Sequence, residues 1–126
     1  MEQLEQLNQG ITYLEQHLCE DLDIKAAAET ACMSKSHFQR MFNMLAEVTV
    51  AEYVRKRRLT LAAQKLATAD VKVIDVALKY GYSTPESFSK AFKRMHGLNP
   101  STVKNDNISL EAYPKLSFQV QIEGDD

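Results

Sequence analysis

Shifted by fifty positions, the chain matches itself, and this repeat limits its architecture more than any other feature. The stretch "IKAAAETACMSKSHFQRMFNML" returns as "IDVALKYGYSTPESFSKAFKRM", pairing Ile24 with Ile74, Ala27 with Ala77, Phe38 with Phe88 and Phe42 with Phe92. A supersecondary unit used twice must build two similar small cores. Each copy reads as two short helices. In the first helix the spacing i, i+3, i+4, i+7 selects Ile24, Ala27, Ala28 and Ala31, and in the second copy Ile74, Ala77, Leu78 and Gly81, small enough for a partner helix to approach closely. A turn of three or four residues follows. Ser34 or Thr84 then caps a second helix, which is expected to bury Phe38, Met41, Phe42 and Leu45, or Phe88, Ala91, Phe92 and Met95. Pro85 suits a first helical position and Gly97 a left-handed helix end. The pattern predicts two helix-turn-helix units, at about 22–46 and about 72–96.

Between them, "TVAEYVRKRRLTLAAQKLATAD" predicts a long linker helix over 49–67, with Val54, Leu59, Ala62, Ala63 and Leu66 on its apolar side. Such a helix spans about 28 Å, suited to holding two recognition helices about one DNA turn, about 34 Å, apart over adjacent major grooves. At the front, Leu4, Leu7, Ile11, Leu14 and Leu18 alternate at spacings of three and four. Two heptads are short for a coiled coil, so this stripe is expected to pack on the first unit. The predicted class is all-α: two helix-turn-helix subdomains joined by a long central helix, with a short C-terminal β-type tail.

Charge is distributed to match. The chain of 126 residues has a net charge of -2, but residues 1–30 hold seven acids against Lys25, residues 31–104 hold thirteen Lys and Arg against five acids, and residues 105–126 hold five acids against Lys115. A basic middle between acidic ends is what a nucleic-acid reader with solubilising flanks would show, and charge runs are equally a feature of ordinary solvated surfaces. Cys19 and Cys32 form no CxxC; this suits a reducing compartment and predicts small buried thiols. The acidic start and the absence of a long apolar run lead to the expectation of a soluble, cytoplasmic protein without a membrane partner. His17, His37 and His96 fall on different predicted helices. With no nucleophile motif or phosphate loop in the sequence, no catalytic residue, metal site or cofactor is expected.

The segments "SKSHFQRMF", "YVRKRRLTLAAQKL" and "VIDVALKYGYSTPESFSKAFKRMHGLNPS" closely resemble the DNA-binding domain of AraC/XylS-family transcription regulators over residues 4–104, including Ala77, Gly81, Tyr82, Phe88, Phe92, Lys93, Gly97 and Pro100 of the second-unit signature. The resemblance implies a seven-helix module over 1–104 that binds asymmetric sites on double-stranded DNA, usually as an activator, with RNA polymerase as a partner. It places base-reading side chains at Ser36, Gln39 and Arg40, with His37 and Asn43 nearby, and at Glu86, Ser87 and Lys90 in the second unit. Side-chain chemistry agrees: Arg pairs with guanine O6 and N7, Gln with adenine, and Glu accepts from cytosine N4. Lys35, Arg55, Arg57, Lys93, Arg94 and Lys104 are assigned to phosphates, which position the protein without reading sequence. Two departures stand out: Ala31 and Cys32 occupy the first turn, where members usually have glycine, and Pro85 stands where many have a polar residue. The rival reading is a helical protein-interaction module that keeps the fold without specific DNA binding.

After "KNDN" the period changes to two. Leu116, Phe118, Val120 and Ile122 alternate with Ser117, Gln119 and Gln121, which predicts a half-buried strand needing a partner: a second chain, the helical body or a missing sheet. Residues 105–126 resemble a linker and the first strand of a gyrase-inhibitor-like effector domain. That resemblance implies a truncated regulator whose small-molecule effector acts through the missing domain.

Overall fold

The computed structural model describes residues 2–119. Among the described residues there are seven helices: α1 (Glu2–Gln16), α2 (Ile24–Thr30), α3 (Lys35–Ala46), α4 (Val50–Thr68), α5 (Val73–Lys79), α6 (Pro85–His96) and α7 (Pro100–Asp106). They fall into two units, the first holding α1, Leu22–Tyr53 and residues 115–119, the second holding Leu18–Asp21 and Val54–Pro114.

In the first unit, Leu7, Ile11 and Leu14 of α1 are fully buried with Ala27, Ala28, Ala31, Phe38 and Phe42, and the expected α1 stripe therefore serves this core. The rings of Phe38 and Phe42 lie 6.4 Å apart, and Phe42 meets Tyr53 edge-on at 5.3 Å. Gly10 permits the close approach of α1, because a Cβ there would lie 2.5 Å from Phe38 Cε1. Leu18 lies beyond α1 and belongs to the second unit. Leu45 is 37% exposed rather than buried, since Phe38 and Phe42 already fill the inner face of α3.

The second unit surrounds Phe88 and Phe92 with Leu59, Ala62, Ala63, Leu66, Val76, Ala77, Tyr80 and Val103. Here the expected face of α5 is corrected. Ile74 and Leu78 are 44% and 56% exposed, and Val76, Ala77 and Tyr80 take the core. The physical reason is one extra turn residue: four residues, 31–34, separate α2 from α3, whereas five, 80–84, separate α5 from α6. The second helices repeat at an offset of fifty but the first helices at forty-nine, so Ile74 and Leu78 correspond to the exposed Lys25 and Glu29.

Hydrogen bonds confirm this register. Cys32 N–H donates to Glu29 O (3.0 Å) and Met33 N–H to Ala28 O (2.9 Å); Gly81 N–H donates to Leu78 O (3.2 Å) and Tyr82 N–H to Ala77 O (2.9 Å). Both pairs form the same helix-ending arrangement, which requires a left-handed residue. Gly81 meets that requirement with φ 91°, and Cys32 meets it with φ 58°. The first turn thus keeps the geometry that glycine usually supplies. It also turns the thiol outward: Cys32 and Cys19 are both exposed, not buried as expected.

The expected strand is also corrected. Among the described residues none is a strand; 111–119 have no regular secondary structure, with Leu116 and Phe118 half-buried between exposed neighbours, and Val120 and Ile122 lie outside the described residues. Within the second unit, Tyr113 N–H donates to Thr60 Oγ1 (3.0 Å), Arg57 donates to Tyr113 O, and Lys56 Nζ sits 5.1 Å from the Tyr113 ring centre. Within the first, Leu116 N–H donates to the Tyr53 hydroxyl (3.2 Å), Asn8 Nδ2 donates to Phe118 O (2.6 Å) and Phe118 N–H to Asn8 Oδ1 (2.8 Å). The Asn8 amide answers one residue's N–H and C=O together, as a neighbouring strand would.

Candidate nucleic-acid interface

The outward face of α3 is built by difference. Because Phe38 and Phe42 point inward, Ser36, Arg40 and Asn43 are exposed and His37 and Gln39 half-buried along the remaining faces. Lys35 is exposed at the helix start. Ser34 holds that start, its hydroxyl accepting from His37 N–H at 3.1 Å. At the other end Glu47 takes a left-handed conformation and its N–H donates to Asn43 O at 2.9 Å. Gln39, Arg40 and Asn43 share a hollow of about 670 Å³ with Met44, Thr49 and Val50.

The α6 face is built by the same rules with different chemistry. Thr84 Oγ1 accepts from Ser87 N–H at 3.1 Å, Pro85 starts the helix, and Gly97 ends it with φ 80°. Glu86, Ser87, Lys90, Lys93 and Arg94 are exposed. The Ser87 hydroxyl donates to Thr84 O (3.0 Å) and meets Thr84 Oγ1 (3.0 Å), so it is engaged in the cap. His96 contacts Leu59 O through Nε2 (3.0 Å) and packs on Phe92.

The sequence-assigned phosphate contacts divide. Arg55 is exposed and Lys104 half-buried, but Arg57 is only 9% exposed and donates to Tyr113 O. Arg57 is therefore removed from the set of phosphate contacts, because its guanidinium holds the tail. Arg58, which sequence reasoning passed over, donates through Nε to Leu18 O and through Nη2 to Glu20 O, both at 2.8 Å. No local sequence signal marks such bonds, since the partners lie about forty residues away. Arg55 and Arg58 also act on Tyr82, whose ring meets Phe88 edge-on at 5.4 Å. Burial raises the Tyr82 phenol above its ordinary pKa and outweighs the opposing pull of the two guanidiniums.

Among the described residues no group of three His, Cys, Asp or Glu side chains is arranged to hold a metal ion, and no helix is long and apolar enough to cross a membrane.

A family model described as a helix-turn-helix domain matches residues 27–106. The chain is 33% identical over 117 residues to the HTH-type transcriptional activator AarP of Providencia stuartii, covering 88% of this chain and 85% of that protein. It is 34% identical over 95 residues to the regulatory protein SoxS of Escherichia coli, covering 75% of this chain and 89% of SoxS. Among solved structures, the DNA-binding domain of the global transcriptional factor AdpA, in complex with a target DNA, superposes with a TM-score of 0.71 at 27% identity, covering 79% of this chain and 90% of that one. The repeated helix-turn-helix units, their recognition helices and these relatives agree: the chain belongs to the AraC/XylS family of DNA-binding transcription regulators, which are not enzymes.

Proposed function

We propose that the chain is a cytoplasmic regulator that reads double-stranded DNA by placing α3 and α6 in major grooves, and that acts on transcription through contact with RNA polymerase. The observation that carries the DNA-reading part is the pairing of an aromatic inner face with a polar outer face in both α3 and α6. Ser36, His37, Gln39, Arg40 and Asn43 read bases from α3, with Arg40 bidentate to a guanine. From α6, Glu86 and Lys90 read bases, while Ser87 contributes through its cap. Lys35, Arg55, Lys93, Arg94 and Lys104 meet phosphates. The name of AarP, a transcriptional activator, supports activation as the direction of control.

Selection of bound duplexes from a random pool, at two salt concentrations, tests this reading. Two enriched blocks and binding that weakens steeply with salt are expected. Arg40→Ala should relax specificity at one base position at a cost of about 1–3 kcal/mol, whereas Lys93→Ala should weaken all sequences alike and flatten the salt slope by about one. Absence of any enriched sequence, or equal losses on specific and random DNA for Arg40→Ala, would overturn the assignment. Co-purification with RNA polymerase on a promoter carrying the selected site tests the partner.

A further inference from the structure

We infer that Met44 is a base-reading residue of the first unit, making apolar contact with the C5-methyl group of a thymine one or two base pairs from the guanine read by Arg40. This rests on the reading of α3 as a recognition helix. Three observations converge on Met44. It is 70% exposed, more than any other large apolar side chain among the described residues. It follows Ser36 and Arg40 at i, i+4 and i+8, which places all three on one outward stripe of α3. It also lines the same hollow of about 670 Å³ as Gln39, Arg40 and Asn43.

A single exposed apolar side chain is ordinary on a protein surface. What distinguishes Met44 is its place among the polar groups of a base-reading face. Neither core uses it, since Phe38 and Phe42 take the inner side of the helix. The residue fifty positions on, Arg94, is an exposed cation, so the two units place opposite chemistry at this point. In the major groove the apolar feature that a duplex presents is the thymine methyl, and an unbranched, flexible thioether adapts to it well. Four residues of helix separate Met44 from Arg40 by about 6 Å, close to two base-pair steps of about 3.4 Å. The stripe therefore reads a guanine and a nearby thymine with one charged and one apolar group.

The test uses the duplex recovered in the selection above, with each thymine of the first block replaced in turn by deoxyuridine, which removes only the methyl. The intact chain, Met44→Ala and Arg40→Ala are compared. At one position the loss of the methyl should weaken the intact chain about fourfold, the equivalent of one buried methyl group, and leave Met44→Ala unchanged. If no deoxyuridine separates the intact chain from Met44→Ala, or if every replacement weakens both alike, the inference is overturned. Arg40→Ala keeps the two failures distinct. Equal loss on specific and random DNA overturns the reading of α3 itself, whereas loss of specificity without a methyl effect overturns only the role of Met44. Matching unfolding curves for the intact chain and Met44→Ala establish that the comparison concerns binding.

Discussion

Gly10→Ala should destabilise the first unit, although it exchanges a poor helix former for the best one. In an open helix that exchange gains about 0.8–1.0 kcal/mol. Here the new Cβ would lie 2.5 Å from Phe38 Cε1, 3.0 Å from Phe38 Cζ and 3.1 Å from the Ala27 carbonyl oxygen. Carbon atoms pack best at about 3.5–4.0 Å, so the ring must yield by about 1 Å. Phe38 is fully buried against Phe42, and the third neighbour is α2 backbone. Overpacking of an enclosed core costs about 1–3 kcal/mol; the buried ring and the backbone neighbour put this site in the upper part of that range, about 2–3 kcal/mol, so with the propensity gain subtracted the net loss should be about 1–2 kcal/mol.

For a chain of this size that lowers Tm by about 4–8 °C, readable by circular dichroism. Because Phe38 lies between His37 and Gln39, the displacement should also weaken specific DNA binding more than non-specific binding. Phe38→Leu should relieve the clash, so Gly10→Ala ought to cost less in that background than in the intact chain, a coupling that a double-mutant cycle reads directly. An unchanged or raised Tm for Gly10→Ala would refute the reasoning.

Cys32→Gly should stabilise the first unit by about 1 kcal/mol, since a left-handed residue with a Cβ is strained, while Gly81→Ala should lose a similar amount; urea midpoints check both. Asn8→Ala removes both hydrogen bonds to Phe118, together about 1–3 kcal/mol of local stability, and should speed tryptic cleavage after Lys115 and hydrogen exchange at the Phe118 amide. Burial raises the phenol pKa of Tyr80 and Tyr82 above 10.0. Their stabilising contribution is therefore complete below the unfolded value and is lost as pH rises through the folded one. Unfolding midpoints should fall above about pH 10, and Tyr82→Phe should flatten that fall.

What could be read from sequence depended on the range of the interaction that decides each feature. Phe38, Phe42, Phe88 and Phe92 were legible because a buried helix face repeats within two turns, and Ser34, Thr84 and Gly97 because a cap involves residues three or four apart. The phase of α5 was not. Ile74 and Leu78 satisfy helical spacing as well as Val76, Ala77 and Tyr80 do, and only a turn longer by one residue decides which set faces the core. Arg57 reads locally as one more cation in "RKRR", yet its partner Tyr113 stands 56 positions away. Alternation in the tail marked Leu116 and Phe118 as the half-buried positions but not the absence of a strand, because periodicity is silent on whether the partner is a strand or, as here, the side chains of Asn8, Tyr53 and Thr60.

The two recognition helices are built alike and armed differently, and this difference bears on how the proposed reading is shared between them. On α3, Gln39 and Asn43 flank Arg40, groups whose donors and acceptors match particular base edges. On α6, three exposed cations, Lys90, Lys93 and Arg94, stand with Glu86, and the Ser87 hydroxyl is already bonded to Thr84. A cation meets any phosphate, so neutralising three of them adds affinity to every sequence alike and steepens the salt dependence. A carboxylate repels phosphates and gains only where a cytosine amine replaces the water it loses. In the proposed reading, Glu86 would act chiefly by excluding wrong registers, whereas Arg40 would act by rewarding the right one. The proposed division assigns most of the sequence information to the first unit and most of the electrostatic hold to the second. Exchanging the outward residues of α3 and α6 should therefore move the more informative block to the other end of the selected site.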